Sequence, residues 1–346
     1  MSRRFMAVLV AMLAIVLATT AQQKKYALYG VAFYNLENLF DTCHDYGKND
    51  WEFLPNGSYK WTGQKYRAKL TNLSRVLSEL CTSKIKAGAS IIGVSEVENR
   101  GVLEDLLRQP ALRDRGFKIM HIDGPDRRGV ECAVLYNPRF FQLTDSCLVP
   151  YVYPNNDTTH ITRGFLVATG KMAGETLHVV VNHWPSRAAE SAVRERAGVQ
   201  LRAVKDSLLR AYPGSKVIVM GDLNDDPNNK SVTDGLGAVH RIKDVKNNND
   251  MYNPFWDILY SKGQGTLLYN GKWNLFDQII ISGALIGTDR KDIKYFSSEV
   301  FVRDYLLQQD GKYKGSPLRT HAGGVWLNGY SDHLPTSVYL IKEIAD

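Results

Sequence analysis

Residues 216–227, Lys-Val-Ile-Val-Met-Gly-Asp-Leu-Asn-Asp-Asp-Pro, join a short apolar run to a cluster of acidic and amide side chains. The β-branched run predicts a buried strand, and the polar residues with the proline predict a turn at its end. Asp222 and Asn224 therefore lie side by side at a strand terminus. A carboxylate that takes a proton and a carboxamide that orients an oxygen suit the activation of water against a phosphate ester. An ordinary Asx turn is the alternative for this stretch alone.

Two earlier strand ends carry polar side chains of the same kind. An apolar and aromatic run from residue 26 ends at Asn35 and Glu37, which share one face of a strand because they are two residues apart. A second buried run, residues 90–95, ends at Glu96. A carboxylate at the mouth of an apolar strand needs a cation or a hydrogen-bond donor, which makes Glu96 a candidate metal ligand. A helix N-cap region is the alternative, because residues 99–108 are helical in pattern.

Histidines occupy later strand ends. His183 closes an apolar run at residues 176–182, and Asp332 with His333 precedes the closing strand. Adjacent Asp and His form a compact acid/base element, and Asp277 stands at the head of another strand. A histidine at such a position is often structural, but His178 is the better candidate for that role because it lies inside its strand.

Basic residues near these strands are candidates for substrate binding. Arg187 follows the turn after His183 and could bind a phosphate through two donors, and Arg163 begins a neighbouring strand. The net charge of +7 is a mild positive balance. It is compatible with a polyanionic partner, but by itself it does not argue for nucleic acid.

The N-terminus has the three parts of a secretory signal peptide. Two arginines precede an uninterrupted apolar run at residues 5–18, and small residues follow it. The run is short for a membrane span. We expect residues 1–21 to be removed, residues 22–346 to form one domain, and the mature chain to be periplasmic or secreted without stable membrane insertion. An uncleaved N-terminal anchor is the alternative.

Four cysteines remain in the expected mature chain. Cys132 and Cys147 flank a predicted hairpin of strands 130–137 and 140–149, so they could face each other in a disulfide. Free cysteine is also a common buried residue, and the pairing stays open. The cysteine spacings fit no zinc-binding pattern.

Helical spacing of apolar residues predicts a helix at residues 62–80 with Thr62 as its N-cap, and residues 188–209 predict another. The strands around residues 130–183 are predicted to be antiparallel.

The order Asn-x-Glu, Glu, Asn-His, Gly-Asp-x-Asn, Asp at a strand head and Ser-Asp-His resembles the endonuclease/exonuclease/phosphatase superfamily, with its DNase I-like fold. The resemblance covers nearly all of residues 26–342. It implies a four-layer α/β/β/α sandwich, in which two mainly antiparallel sheets pack face to face between outer helices. The strand ends would then converge on one metal-dependent phosphoesterase site.

The resemblance also implies roles for individual residues. Asn35, Glu37, Glu96 and Asp332 would surround a Mg²⁺ or Mn²⁺ ion. Asp222 and Asn224 would position the water and the phosphate. His183 and His333 would contact phosphate oxygens or act as acid and base, with Asp277 orienting His333.

We therefore expect an exported, metal-dependent phosphodiesterase that acts as a monomer on nucleic acid by direct attack of water. Two alternatives stay open. One is a phosphatase or a phosphodiesterase for lipid or small-molecule substrates with the same machinery, and the other is a non-catalytic binding protein on this fold. Single motifs do not choose between DNA, RNA and small phosphoesters.

Overall fold

The computed structural model describes residues 24–269 and 271–344, so the predicted signal peptide at residues 1–21 lies outside the described residues. The strands of this part of the chain, in order, are β1 (Lys25–Leu39), β2 (Ile91–Val97), β3 (Lys118–His121), β4 (Glu131–Tyr136), β5 (Phe141–Val149), β6 (Phe165–Met172), β7 (Glu175–His183), β8 (Lys216–Asp222), β9 (Ala238–Val239), β10 (Met251–Tyr252), β11 (Leu267–Tyr269), β12 (Lys272–Asn274), β13 (Asp277–Ser282), β14 (Lys294–Val300), β15 (His321–Ala322), β16 (Val325–Trp326) and β17 (Thr336–Ile344).

Most of these strands form two large sheets. One has the order β14-β17-β1-β2-β4-β3 and the other β5-β6-β7-β8-β13-β10-β9, while β11-β12 and β15-β16 are separate hairpins. The sheets pack face to face through one apolar cluster that contains side chains of both. Gly93 of β2 lies so close to β8 that a Cβ there would be 2.5 Å from the Met220 sulfur. The predicted sandwich of two mainly antiparallel sheets is confirmed.

Helices cover the outer faces. The α-helices are α1 (Gly63–Glu79), α2 (Arg100–Leu107), α3 (Ser191–Ala211) and α4 (Trp256–Tyr260), and the short 3-10 or π turns are Trp51–Phe53, Pro154–Asn156, Ser231–Leu236, Ile242–Asp244, Gly283–Leu285 and Asp304–Leu306. Thr62 caps α1 as predicted, because its Oγ1 accepts a hydrogen bond from Lys65 N. A second apolar cluster fills the space between α3 and the seven-stranded sheet. The layers therefore follow the order α/β/β/α.

Strand direction brings the polar strand ends together. The central pair of each sheet is parallel, β1 with β2 and β7 with β8, so their carboxyl ends meet at one edge. β13 runs antiparallel to β8 and β17 antiparallel to β1, so these two strands begin at that edge. Four strand ends and two strand starts thus converge on one region.

The predicted hairpin at residues 130–149 is wrong. β4 pairs with β2 and β3 in the first sheet, whereas β5 pairs with β6 in the second. The turn at residues 137–140 carries the chain from one sheet to the other, and Asn137 braces it by accepting a hydrogen bond from Arg139 N. Cys132 is buried, Cys147 is exposed, and both are free thiols. The structure therefore contains no disulfide between them.

No helix in the described ranges has both the length and the apolar character to cross a membrane.

Candidate active site

Three side chains form a row across adjacent strands of the seven-stranded sheet. His183 of β7 pairs in register with Asp222 of β8, and Asp277 of β13 pairs with Asp222 from the other side. All three side chains are buried. Since residues in one cross-strand row lie on the same face when the register is regular, the sheet itself fixes their spacing.

His333 completes this row from the segment that leads into β17. Its Nδ1 lies 2.7 Å from Asp277 Oδ2, which is within hydrogen-bond distance. Its Nε2 lies 3.8 Å from Asp222 Oδ2. His183 Nε2 lies 3.7 Å from the same carboxylate oxygen. The two imidazoles therefore face one carboxylate from two sides, and Asp277 makes the contact with His333 that its predicted orienting role requires.

The pKa of Asp222 lies near neutral pH. Burial raises its pKa to about 7, and the Asp277 and Glu96 carboxylates push in the same direction against the opposing effect of His333. Asp222 Oδ1 accepts a hydrogen bond from Asn224 N, and Oδ2 accepts one from Asn35 Nδ2 at 3.1 Å. A carboxyl group with such a pKa can exchange a proton at physiological pH.

The two histidines differ in protonation. Burial lowers the pKa of His183 well below its usual value, and the positive charges of Arg163 and Arg128 add to this effect. Burial would also lower the pKa of His333, but the carboxylates of Asp277 and Asp222 raise it well above its usual value. These opposite shifts favour a neutral imidazole at His183 and an imidazolium at His333. Environments that separate the pKa values of two like groups are a mark of acid/base sites.

The predicted metal ligands fall into two adjacent groups. Asn35 Nδ2 lies 3.2 Å from Glu96 Oε1, and Glu96 Oε1 lies 3.8 Å from His183 Nε2. Glu96, His183 and Asp222 each offer an atom within 4.8 Å of the others, which is compact enough to surround a cation. Glu96 does not cap α2, since the Asn99 side chain does that.

Glu37 and Asp332 form the second group. Arg319 donates from Nε to Glu37 Oε1 at 3.2 Å and from Nη2 to Asp332 Oδ2 at 2.8 Å. Glu37 Oε2 accepts a hydrogen bond from Thr320 N, and the buried Lys69 ammonium lies 3.9 Å from that oxygen. Both Glu37 oxygens thus already have donors. Its role as a metal ligand stays a prediction, and its contacts favour the anchoring of Arg319.

The expectation that Asn35 and Glu37 share one strand face does not hold. The ladder between β1 and β2 shifts between Asn35 and Leu39, which marks a β-bulge, and β2 shifts at Glu96. Glu37, Asn38 and Glu96 have φ angles of 48°, 52° and 60°. Bulges re-aim side chains next to active sites, and non-glycine residues in this region are strained. Three of the ten non-glycine residues with positive φ in the described ranges thus lie at or beside the predicted ligands.

The carboxylates of the site fit a hard divalent cation. Burial raises the pKa of Glu37, and the neighbouring Asp332 carboxylate adds to that shift. The raised pKa of Asp222 has the same origin in burial and nearby carboxylates. Negative charge is therefore crowded at this edge, and an added cation would relieve it. Carboxylate and amide oxygens are the ligands that Mg²⁺ prefers.

Asn224 and Arg187 hold the loop after β8. Asn224 Nδ2 donates to Trp184 O at 3.0 Å, which ties this loop to the end of β7. Arg187 Nε donates to Asn224 O, and its Nη2 donates to Asp226 Oδ2. A contact between Arg187 and substrate stays a prediction, but its donors are engaged in bracing this loop.

Two arginines, Arg163 and Arg128, act electrostatically on His183. Arg163 donates to Asp126 Oδ2 and to Trp184 O, and its side chain is largely buried. Arg128 is exposed, donates to Asn38 Oδ1 at 3.1 Å and acts electrostatically on His183. Sequence reasoning missed Arg128 and Arg319. Nothing in their local sequence distinguishes them from other loop arginines.

Comparison with known proteins identifies relatives of the chain. The model of the endonuclease/exonuclease/phosphatase family matches residues 30–342. Among curated proteins, none matches the chain at a significant level.

Several solved structures share the fold. An endonuclease/exonuclease/phosphatase family protein from Bacteroides thetaiotaomicron has 15% identity and a TM-score of 0.54, with 93% of this chain and 98% of that one covered. The mannosyl-6-phosphatase of the same organism has 16% identity and a TM-score of 0.54, with 90% and 99% covered. TDP2 from D. rerio, in complex with a single-strand DNA product, has 14% identity and a TM-score of 0.54, with 91% and 99% covered.

Proposed function

This chain belongs to the endonuclease/exonuclease/phosphatase family, and from that membership we propose that it is a divalent-metal-dependent phosphodiesterase that cleaves nucleic acid by direct attack of water. Phosphoesterase activity is the common property of the superfamily. The observation that carries the proposal is the row of His183, Asp222 and Asp277 with His333 against it. Such a row supplies a proton acceptor, a proton donor and an orienting carboxylate within one buried cluster.

The protonation states divide the work between the histidines. His183 is neutral, so its Nε2 can accept a proton from the attacking water, with Asp222 as a neighbouring acceptor. His333 is held as an imidazolium by Asp277, so its Nε2 can donate to a phosphate oxygen or to the leaving oxygen. Phosphoester hydrolysis depends chiefly on positioning and on neutralising charge, which these groups provide.

The metal would be held by Glu96, Asn35 and Asp332, with Glu37 as the further predicted ligand. When bound, a Mg²⁺ or Mn²⁺ ion supplies charge neutralisation at the phosphate oxygens. The chain's own contribution is to hold these oxygens in place: Asn38 N donates to Glu96 Oε2, and Arg319 fixes Asp332.

One observation favours a nucleic-acid diester over a small monoester. The solved neighbours do not choose between them, since TDP2 with a single-strand DNA product and a mannosyl-6-phosphatase are equally similar in fold. The exposed Arg128 adds positive charge at the mouth of the site. Positive charge outside the catalytic centre is useful to an enzyme whose substrate has further phosphates.

The enzyme would act outside the cytoplasm as a monomer that starts near Gln22, since residues 1–21 have the layout of a signal peptide. N-terminal sequencing of the protein from each cell fraction tests this part. An intact Met1 or Ser2 in the cytoplasmic fraction would contradict it.

A substrate panel tests the activity. The purified mature chain with Mg²⁺ is assayed on plasmid DNA, RNA, bis-p-nitrophenyl phosphate, p-nitrophenyl phosphate and sphingomyelin, alongside His183→Ala. We expect cleavage of nucleic acid and of the synthetic diester, with both activities lost in the variant. Hydrolysis confined to p-nitrophenyl phosphate would instead assign a phosphatase, and cleavage confined to sphingomyelin would assign a lipid enzyme.

A further inference from the structure

A cleft of about 680 Å³ opens beside the catalytic centre. Its inner end reaches Asp332 and Arg319, and its outer walls come from the β11–β12 hairpin and from the loop at residues 308–317. A cleft of this size falls within the range that encloses most of a drug-sized ligand. The acid/base chemistry described above does not use the outer part of this cleft.

Exposed aromatic rings stand on both walls. Tyr269 ends β11 with 67% of its surface exposed, and Tyr313 in the facing loop is 57% exposed. Aromatic side chains that are exposed together around a cleft can mark a ligand-binding groove. Two such rings on opposing walls can hold a flat group between them or in succession.

The outer part of the cleft carries positively charged side chains. Lys312 and Lys314 flank Tyr313, and the Lys312 ammonium lies 5.5 Å from the centre of that ring. Among the described residues that line the cleft, Asp332 alone carries a carboxylate, and it lies at the catalytic end. The cleft is therefore positive at its mouth and negative where a metal and a scissile phosphate would meet.

Hydrogen bonds hold the base of each wall, and one wall is tied to the catalytic row. Thr266, at the base of the β11–β12 hairpin, accepts a hydrogen bond from Asp277 N at its Oγ1 and one from Leu334 N at its carbonyl oxygen. The opposite loop is closed by backbone hydrogen bonds between Gln308 and both Gly315 and Ser316. Gly315 has a φ of 84°, which suits the turn. A ligand held here thus has a fixed position relative to His333.

We propose that this cleft, which we call the Tyr269–Tyr313 cleft, binds the single-stranded nucleic acid that flanks the scissile phosphate. The inference rests on the proposed function and names its substrate class. Tyr269 and Tyr313 stack on unpaired bases, and Lys312 and Lys314 pair with a neighbouring phosphate. A sugar monophosphate could use the rings, but it has no second phosphate for the lysines. A duplex keeps its bases inside the stack, where the rings cannot reach them.

Equilibrium binding tests the cleft separately from catalysis. The anisotropy of a fluorescein-labelled single-stranded oligonucleotide is measured at low salt in EDTA, so that cleavage does not contribute. Tyr269→Ala and Tyr313→Ala should each weaken binding by roughly 5- to 150-fold, the usual size of one lost stack. Tyr269→Phe and Tyr313→Phe should bind nearly as wild type, because they keep the ring.

The lysines have a distinct signature. Lys312→Ala with Lys314→Ala should lower the slope of log affinity against log salt by about 0.7 to 1.4, since each lost single-strand phosphate contact removes about 0.7. Matched controls are Tyr26→Ala and Lys171→Ala. Tyr26 lies at the opposite end of β1 and is also exposed, and Lys171 is an exposed residue of β6. Both controls should leave affinity and slope unchanged.

The outcomes separate the two proposals. All cleft variants should hydrolyse bis-p-nitrophenyl phosphate at the wild-type rate, since that diester is too small to need the cleft. Absence of hydrolysis by the wild type overturns the proposed function, while the binding result still decides the role of the cleft. No detectable binding by the wild type, equal affinity for duplex, or unchanged affinity in the alanine variants overturns the cleft assignment alone.

Discussion

Replacement of Asp277 by Asn tests the electrostatic logic of the site. Asp277 is fully buried, and its Oδ2 lies 2.7 Å from His333 Nδ1. The Asn side chain has the same shape but no charge. Two unit charges about 4 Å apart interact by about 4 kcal/mol at an effective dielectric constant of about 20. Loss of this interaction corresponds to a fall of about 3 in the pKa of His333.

The direction of the effect on catalysis follows from that fall. The pKa of His333 is raised in the folded enzyme, so its imidazolium persists through neutral pH. In Asp277→Asn the imidazolium should be lost at a lower pH than in the wild type. We expect kcat at neutral pH to drop by about 10² to 10⁴, the usual size of an acid/base contribution. The limb of the pH–rate profile that reports His333 should move to lower pH.

The assay is the pH dependence of kcat/KM on bis-p-nitrophenyl phosphate with Mg²⁺, from about pH 5 to pH 9. Asp225→Asn is the matched control, because Asp225 is also buried but pairs with Arg194 at 2.9 Å and accepts a hydrogen bond from Ser231. It should lower stability without moving the profile. An unshifted limb in Asp277→Asn, with less than a tenfold loss of kcat, would refute the reasoning.

Three further predictions address other parts of the account. His183→Ala and His333→Ala should each lower kcat by about 10² to 10⁴. Because both histidines serve one transition state, the fold loss of kcat in the double variant should be smaller than the product of the two single losses. A variant of His183 that keeps more than about a tenth of wild-type kcat would count against this. Glu96→Gln should raise the Mg²⁺ concentration for half-maximal rate at least about tenfold, which is comparable to the loss of metal affinity when partners of a metal site are removed. An unchanged metal titration would exclude Glu96 as a ligand. Burial lowers the pKa of His178 to about 4 in the fold, so the unfolded chain binds more protons between about pH 4 and pH 6.5, and the free energy of unfolding should fall as the pH falls through that window. In chemical denaturation, the free energy of unfolding should depend less on pH in His178→Phe than in the wild type. An identical pH dependence in both proteins would refute the assignment.

Much of the fold follows from local pattern. Apolar runs bounded by polar residues identified β1, β2, β7, β8 and β13, and helical spacing placed α1 within a residue or two of its observed bounds. The convergence of the strand ends came from the family resemblance. The parallel pairing of the central strands explains it physically, because parallel strands present their carboxyl ends at one edge.

The remaining features depend on contacts that are distant in sequence. Period-two alternation placed Asn35 and Glu37 on one face of the strand. A β-bulge turns the two side chains in different directions, and local sequence does not reveal a bulge. The hairpin at residues 130–149 was predicted because strands adjacent in sequence usually pair. The prediction was wrong because the chain passes from one sheet to the other at the turn that begins with Asn137.

The same reason applies to the cations of the site. Arg319 reaches Glu37 across 282 residues of sequence, and Lys69 enters from α1 with its charge buried against Thr320 and Glu37. Burial lowers the pKa of this lysine, and the neighbouring carboxylates oppose that shift. No local pattern marks one lysine of an amphipathic helix as buried, so only the assembled fold identifies it.

The dependence of diester hydrolysis on a divalent cation tests the central claim most directly. The rate of bis-p-nitrophenyl phosphate hydrolysis by the mature chain is measured as purified, in excess EDTA, and after Mg²⁺ or Mn²⁺ is added back. The crowding of carboxylates around Asp222 and Glu96 predicts that activity disappears with the chelator and returns with either ion. Full activity in excess EDTA would contradict the account.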